Sequence, residues 1–404
     1  FGSFLVAIIF LAISFVSKRV VTKLGEDKYN FENNVNALLL LVQKGRVKLE
    51  DPLTKYFPSF PAYGKDIKIK HLLTHTSGLM DYEDLMSPTQ AVQLHDTNCL
   101  QLMYKANGLY FTPGSQYKYS NTGYAILALV VEKISGQDYG VFLKENIFKP
   151  LKMKNSVAFE EGKSTIPNRA YGYSLNNGSW VETDQSMTSA VLGDGGIYTN
   201  TIEMTQWIKA LWDYKLLGSE MQIQAWTRKK LNNGAPIDYG YGWHIEDYKN
   251  ITHPHHGGSS IGFRNQLLLF PEQKLMVILL TNRNEGDPMN EAKKIADLYL
   301  NDVSSDRENY QFEPALVSKD EYEKTSKGIV ERLYKKIEIN KLSIFIGLVV
   351  GMILFACIGA GQTSPKDDSI TSNEKPEGQM FTDYQSEIDN NYKIYIQFLI
   401  LSNK

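Results

Sequence analysis

Phe111-Thr-Pro-Gly-Ser-Gln-Tyr-Lys-Tyr-Ser-Asn-Thr-Gly-Tyr124 is the stretch that decides how this chain is read. Pro113 presets the backbone for a corner and Gly114 takes a conformation that a side chain would forbid, so a loop delivers the triplet Tyr119-Ser120-Asn121. After it, Ala125, Ile126, Leu127, Leu129, Val130, Val131 and Ile134 form an apolar stripe at helical spacing. The spacing predicts a buried helix from about Thr122. A phenol and an amide two residues apart at the mouth of such a helix can both face one small volume. Tyrosine is a poor base at its free pKa of about 10 but a good one beside a cation, and asparagine offers a donor and an acceptor for orienting a neighbour. The plainer reading makes Tyr119 one of 24 tyrosines and Asn121 a helix cap.

The fourteen residues closely resemble the second motif of the β-lactamase-related serine hydrolases, a group that includes class C β-lactamases, D-alanyl-D-alanine carboxypeptidases, D-aminopeptidases and related esterases. The resemblance implies that Tyr119 is a general base or proton shuttle and that Asn121 orients the substrate. It also implies a β-lactamase-like α+β fold, in which a mainly antiparallel sheet is flanked by helices and a helical lobe closes over the cleft.

Working outward, residues 34–45 read as a helix apolar nearly all round, hence buried, and Gly45 stops it. The following Val47-Lys-Leu-Glu-Asp-Pro52 resembles the family's sequence just after its nucleophile. Ile67-Lys-Ile-Lys-His-Leu-Leu-Thr-His-Thr-Ser-Gly-Leu79 reads as a short amphipathic helix ending at Gly78, with His71 and His75 at i,i+4. That spacing suits zinc, but the metalloprotease form needs Glu after the first His and Leu72 stands there, so both are read as buried, hydrogen-bonded supports. Residues 150–190 are polar and turn-rich. Gly193-Asp-Gly-Gly-Ile-Tyr-Thr199 lacks the Gly-Lys-Ser/Thr of a phosphate cradle and is read as a tight backbone passage beside the cleft, before a helix at 202–212.

Tyr239-Gly-Tyr-Gly-Trp243 opens a closing sheet, whose runs 263–270 and 274–280 are joined by the turn Pro271-Glu272-Gln273. A helix at 287–300 follows. Between them lies His253-Pro-His-His-Gly-Gly-Ser-Ser-Ile-Gly-Phe-Arg264, and its His-Gly-Gly-Ser occupies the place of the family's third motif. By that correspondence His256 is a polar or cationic partner of Tyr119, and Gly257 and Gly258 admit an acyl group against the strand. The Ser259 N–H is an oxyanion donor. A metal centre from His253, His255 and His256 is the competing reading, although a Pro-kinked cluster aims three imidazoles together poorly.

The family's first motif, Ser-x-x-Lys, should stand about fourteen residues before Gly45, where Lys28 and Phe31 are found. Ser115-Gln-Tyr-Lys118 has the spacing but lies inside the second motif. The nearest imitation is Ile13-Ser-Phe-Val-Ser-Lys18, in which Ser14 and Lys18 are i,i+4, with Ser17 between them; a membrane-anchor terminus explains the same residues. The sheet is expected to lack its first strands.

Composition sets the remaining bounds. With 404 residues, 43% of them hydrophobic, the chain can bury one large core with appendages, and a net charge of −2 gives no nucleic-acid surface. Cys99 and Cys357 define neither a disulfide framework nor a zinc site. Residues 1–17 and 342–361 are uncharged and apolar; the first begins at Phe rather than Met, as if its start were missing, and the second just spans a bilayer. Lys335–Lys341 followed by that run and Leu354-Phe-Ala-Cys357 also resembles a lipoprotein signal, which would make the following residues a fused second reading frame. The expected organisation is an anchor or signal remnant at 1–24, the catalytic-type domain at 25–302, a charged linker at 303–341, the membrane or lipoprotein segment at 342–361 and a polar tail at 362–404. The expected function is a membrane-associated, cell-envelope serine hydrolase that cleaves a small ester, amide or peptide-like substrate through an acyl-enzyme without a cofactor. The alternative is a pseudoenzyme that keeps the cleft for binding.

Overall fold

The computed structural model describes residues 33–300, apart from 161, 167 and 168, together with the backbone of two outlying strands at 27–29 and 396–402. In chain order, β1 (Asp27–Tyr29) precedes α1 (Asn33–Gln43), α2 (Leu53–Tyr56), α3 (Ile69–Leu73), α4 (Asp96–Lys105), α5 (Asn121–Ser135) and α6 (Tyr139–Leu143). The short strands β2 (Val157–Ala158), β3 (Tyr173–Asn176), β4 (Ser179–Glu182) and β5 (Ile197–Thr199) follow, then α7 (Thr201–Trp212), α8 (Ser219–Ala225), β6 (Lys229–Lys230) and β7 (Pro236–Ile237). The chain continues through β8 (His244–Tyr248), β9 (Ile251–Ser260), β10 (Phe263–Phe270), β11 (Leu275–Thr281), α9 (Pro288–Leu300) and β12 (Ile396–Ser402).

The main sheet is antiparallel in the order β12-β11-β10-β9-β8. Every residue of β11 is buried, because the sheet is covered on both faces. Alternate side chains on a strand face opposite ways. Leu268, Phe270, Leu275 and Val277 accordingly pack on Ala292, Ala296 and Leu300 of α9, while Leu267, Leu269, Met276, Ile278 and Leu280 join the larger core. That core holds α1 and α5, whose apolar residues are buried as the sequence expects, and Gly45 ends the α1 segment at φ +70°.

Several expectations need correction. Residues 362–404 are not wholly a polar tail: the β-prone run Ile396-Gln-Phe-Leu-Ile-Leu-Ser402 is β12, paired from Leu275↔Ser402 to Thr281↔Ile396. Among the described residues every strand of the main sheet comes from residue 244 onward, so it has no strand from the start of the chain, and β12 stands beyond β11. The helix expected to end at Gly78 stops at Leu73, and His75 sits beyond it at φ +54°. Residues 150–190 hide a hairpin, β3–β4, turned by Asn177 (φ +49°) and Gly178 (φ +80°), the pair that a two-residue loop with positive φ at both positions demands.

The chain divides into two units, residues 1–302 with 384–402, and 303–383 with 403–404; all the elements above belong to the first. The segments 1–24, 303–341 and 342–361, with Ser14, Ser17, Lys18 and Cys357, lie outside the described residues. Among the described residues no helix is long and apolar enough to cross a membrane.

Candidate active site

The second-motif turn is held by the loop that follows α3 and, at its corner, by Asn232, which donates its side-chain amide to the Pro113 carbonyl and its backbone N–H to the Gly114 carbonyl, both at 2.9 Å. The carbonyls of Thr76, His75 and Gly78 accept the N–H groups of Gly114 (2.7 Å), Lys118 (3.0 Å) and Tyr110 (2.8 Å). Gly78 is required there: its φ is +75°, and a Cβ would lie 2.1 Å from the Phe111 carbonyl oxygen. The first N–H groups of a helix need partners from outside it, and Ser120, at the cap position of α5, makes no side-chain cap. Asp81 takes that part, its Oδ2 accepting the Asn121 N–H at 2.7 Å, and Thr122 Oγ1 accepts the Tyr82 N–H at 2.7 Å while donating to the Met80 carbonyl at 2.8 Å.

Beneath the turn a buried chain of polar contacts runs from the second motif to the third. His75 Nδ1 accepts the Ser120 N–H at 3.2 Å, so the neutral ring carries its proton on Nε2 and donates it to Tyr239 Oη at 3.1 Å. Tyr239 Oη in turn lies 3.4 Å from His256 Nε2. The His75 ring lies between Tyr119 and Tyr124, with centroids 4.0 and 4.8 Å away. Burial first, then repulsion from His256 and His244, holds the His75 pKa well below its ordinary value and keeps the ring neutral. His71 is likewise a support: its Nδ1 accepts the Lys68 N–H at 3.2 Å, and burial lowers it to about 4.

Above this chain opens a cleft of about 760 Å³, and Tyr119, Asn121, His256, Gly257, Gly258 and Ser259 all line it. Tyr119 is 40% exposed, with its ring 6.4 Å from those of His244 and His256. The Asn121 amide donates to Glu83 at 3.3 Å. Burial, then the neighbouring Asp81, raises the Glu83 pKa. A phenol, an amide and an imidazole therefore face one volume from two different elements, the mouth of α5 and strand β9.

The far wall is the glycine-rich passage. A Cβ on Gly193 would meet Ala125 Cα at 2.5 Å and the Tyr124 carbonyl oxygen at 2.6 Å, so this backbone runs directly against α5. Asp96, fully buried at the start of α4, accepts the N–H groups of Leu192 (3.1 Å) and Gly193 (2.7 Å). Burial pushes its carboxyl up to about 7. Tyr82 donates to Asp194, which also lines the cleft.

Sequence reasoning missed Asp81, Asp96 and His244, and placed Tyr239 in the sheet without giving it a partner. No spacing rule marks them, since each acts on residues far along the chain. The sheet itself begins later than expected, at His244. His253, His255 and His256 do not converge on a metal. His253 Nδ1 donates to the Glu246 carbonyl at 3.0 Å and its ring stacks on Phe270, whereas His256 turns to Tyr239. Among the described residues the donors that do approach one another are His244, Glu246 and His255.

Of the nucleophile positions, Lys28 falls in β1, paired with Tyr198, and Phe31 lies outside the described residues. Ser115 and Lys118 lie in the turn, with Lys118 Nζ 3.4 Å over the Tyr110 ring, and they share no helix face.

A family model described as Beta-lactamase matches residues 35–301. The chain is 30% identical to Penicillin-binding protein 4* of Bacillus subtilis (strain 168) over 271 residues, covering 63% of this chain and 59% of that one. It is 28% identical over 249 residues to the putative penicillin-binding protein PbpX of the same organism, covering 61% and 58%. The chain thus spans less than two thirds of the length of these relatives. A penicillin binding protein from Bacillus halodurans superimposes with a TM-score of 0.58 at 26% identity, covering 68% of this chain and 85% of that one. The D-amino acid amidase of Ochrobactrum anthropi SV3, in its complex with L-phenylalanine, shares the fold with a TM-score of 0.57 at 23% identity, covering 68% and 81%.

Proposed function

This chain belongs to the beta-lactamase family, and from that premise we propose that it is a serine hydrolase that cleaves an ester or amide through an acyl-enzyme. The observation that carries the proposal is the convergence of Tyr119, Asn121 and His256 on one cleft from the α5 turn and β9. In this reading Tyr119 takes the proton from the attacking serine hydroxyl as the Oγ–C bond forms, and returns it to the leaving amine or alcohol. The carbonyl oxygen gains negative charge and is met by the Ser259 N–H, while Asn121 fixes the acyl group and His256 supports the phenol. Water then attacks the acyl-enzyme by the reverse sequence and releases the acid.

The substrate class we propose is a small acyl or peptide-like amide or ester, in line with the penicillin-binding and D-amino acid amidase names among the relatives. With His256 in place of the lysine of the β-lactamase third motif, we place it nearer the esterase and peptidase branches than to penicillin cleavage. We also place the protein at a membrane of the cell envelope, on the strength of the apolar run at 342–361. The candidate nucleophile is Ser14, with Lys18 four residues on.

The test is reaction of the full chain with a fluorophosphonate, followed by location of the labelled serine by mass spectrometry. A label on Ser14 or Ser17 supports the hydrolase. A folded chain that takes no label overturns it and leaves a cleft that binds without turnover.

A further inference from the structure

The hairpin β8–β9 pairs His244 directly with His255 and Glu246 with His253. His255 is 4% exposed, and neither of its ring nitrogens has a hydrogen-bond partner among the described residues. A buried polar atom without a partner costs about 1–3 kcal/mol, so an imidazole left with two such atoms calls for a ligand. The carboxylate of Glu246 stands beside it, with Oε2 3.3 Å from His255 Nε2, in a contact that is not a hydrogen bond.

Two imidazoles and a carboxylate are a donor set that a divalent transition metal takes as ligands. Bond lengths of about 2.0–2.2 Å in tetrahedral geometry put neighbouring donors roughly 3.3–3.5 Å apart. The His255–Glu246 separation already has that value. The third donor is His244, whose ring stacks on His255 at 5.0 Å, and no two donor atoms of the trio are more than 4.8 Å apart. Glu246 has a side chain 46% exposed and so is free to close the remaining distance.

We propose that His244, Glu246 and His255 form a binding site for a divalent transition metal of the zinc class on the wall of the cleft. Three protein ligands leave a fourth position for water. His244 and His255 both line the cleft, which gives the ion a path in. The site differs from a cluster of His253, His255 and His256, and it takes no part in the acyl-transfer chemistry proposed above.

The experiment strips the full chain with a chelator and titrates it with Co²⁺, and with Zn²⁺ in competition with a chromogenic chelator. The expected result is one Zn²⁺ per chain and a Co²⁺ complex with the intense visible bands of four-coordinate geometry. Loss of an outer partner of a metal ligand alone typically weakens binding about 10–100-fold, so His244→Gln and Glu246→Gln should each weaken it by about 100-fold or more. Both positions are partly exposed, which keeps the variants foldable, and His95→Gln, at an exposed histidine, should leave binding unchanged. Failure to bind one ion per chain, binding that survives both ligand substitutions, or binding lost equally in His95→Gln each overturns the proposal.

Discussion

His75 and Tyr239, 164 positions apart in sequence, meet at 3.1 Å between Nε2 and Oη, and this single contact ties the second-motif turn to the strand that carries His256. Tyr239→Phe removes the hydroxyl and leaves His75 Nε2–H buried without an acceptor. The variant should lose about 1–2 kcal/mol of stability, measured by urea unfolding. If the link positions His256, kcat on a generic ester should fall about tenfold with KM nearly unchanged, since 1.4 kcal/mol is a factor of ten. A fall in stability alone would make the bridge purely structural.

Tyr119→Phe keeps the ring against His75 and deletes only the hydroxyl of a residue that is 40% exposed. Turnover should drop by roughly two orders of magnitude or more, the usual worth of a general base, while the unfolding midpoint stays put. Unchanged turnover in this variant excludes the phenol as proton carrier.

Asp96 supplies a pH signature. Its carboxyl titrates near 3.8 in an unfolded chain and near 7 when buried, so the folded state resists its ionisation. Stability from this group is therefore complete below about 4 and is lost as the pH rises toward about 7. Urea midpoints measured across that window should decline more steeply in the parent than in Asp96→Asn, in which the raised Glu83 and Glu132 still titrate. The amide turns an N–H donor toward the N–H of Leu192 or Gly193, so the variant should also sit about 1–3 kcal/mol lower at pH 5.

Gly193→Ala places a methyl group against backbone atoms of Tyr124 and Ala125, which no rotamer change can relieve. Destabilisation of about 3 kcal/mol is expected, read as a fall in the unfolding midpoint. Full stability in this variant would mean that the passage does not press on α5.

The parts of this molecule that were legible in the sequence are those with local periodicity or local turn chemistry. The α1 and α5 stripes, β10 and β11 with their Pro271 turn, and α9 are all foreseen to within a residue or two. Tyr119 and His256 were legible because each sits in a motif. The fastening of the site was not, because Asp81, Asp96 and Tyr239 act across 40, 97 and 164 positions of chain, where neither spacing nor composition carries a signal. The β3–β4 hairpin differs: Asn177-Gly178 is a strong local turn signal that was hidden in a stretch judged only by its polarity.

The place of β12 has a consequence for synthesis. Strand β11 leaves the ribosome when residue 281 does, yet its outer neighbour comes only at residues 396–402. At about 5–20 residues per second, the nascent domain spends several seconds or more with Leu275-Met-Val-Ile-Leu-Leu-Thr281 as an open apolar edge. Such an edge templates pairing with any other chain that presents a strand. A chain ending before residue 396 would keep every residue that lines the cleft and yet leave this edge open, so it is expected to aggregate more readily than the full chain, as a lower soluble fraction would show.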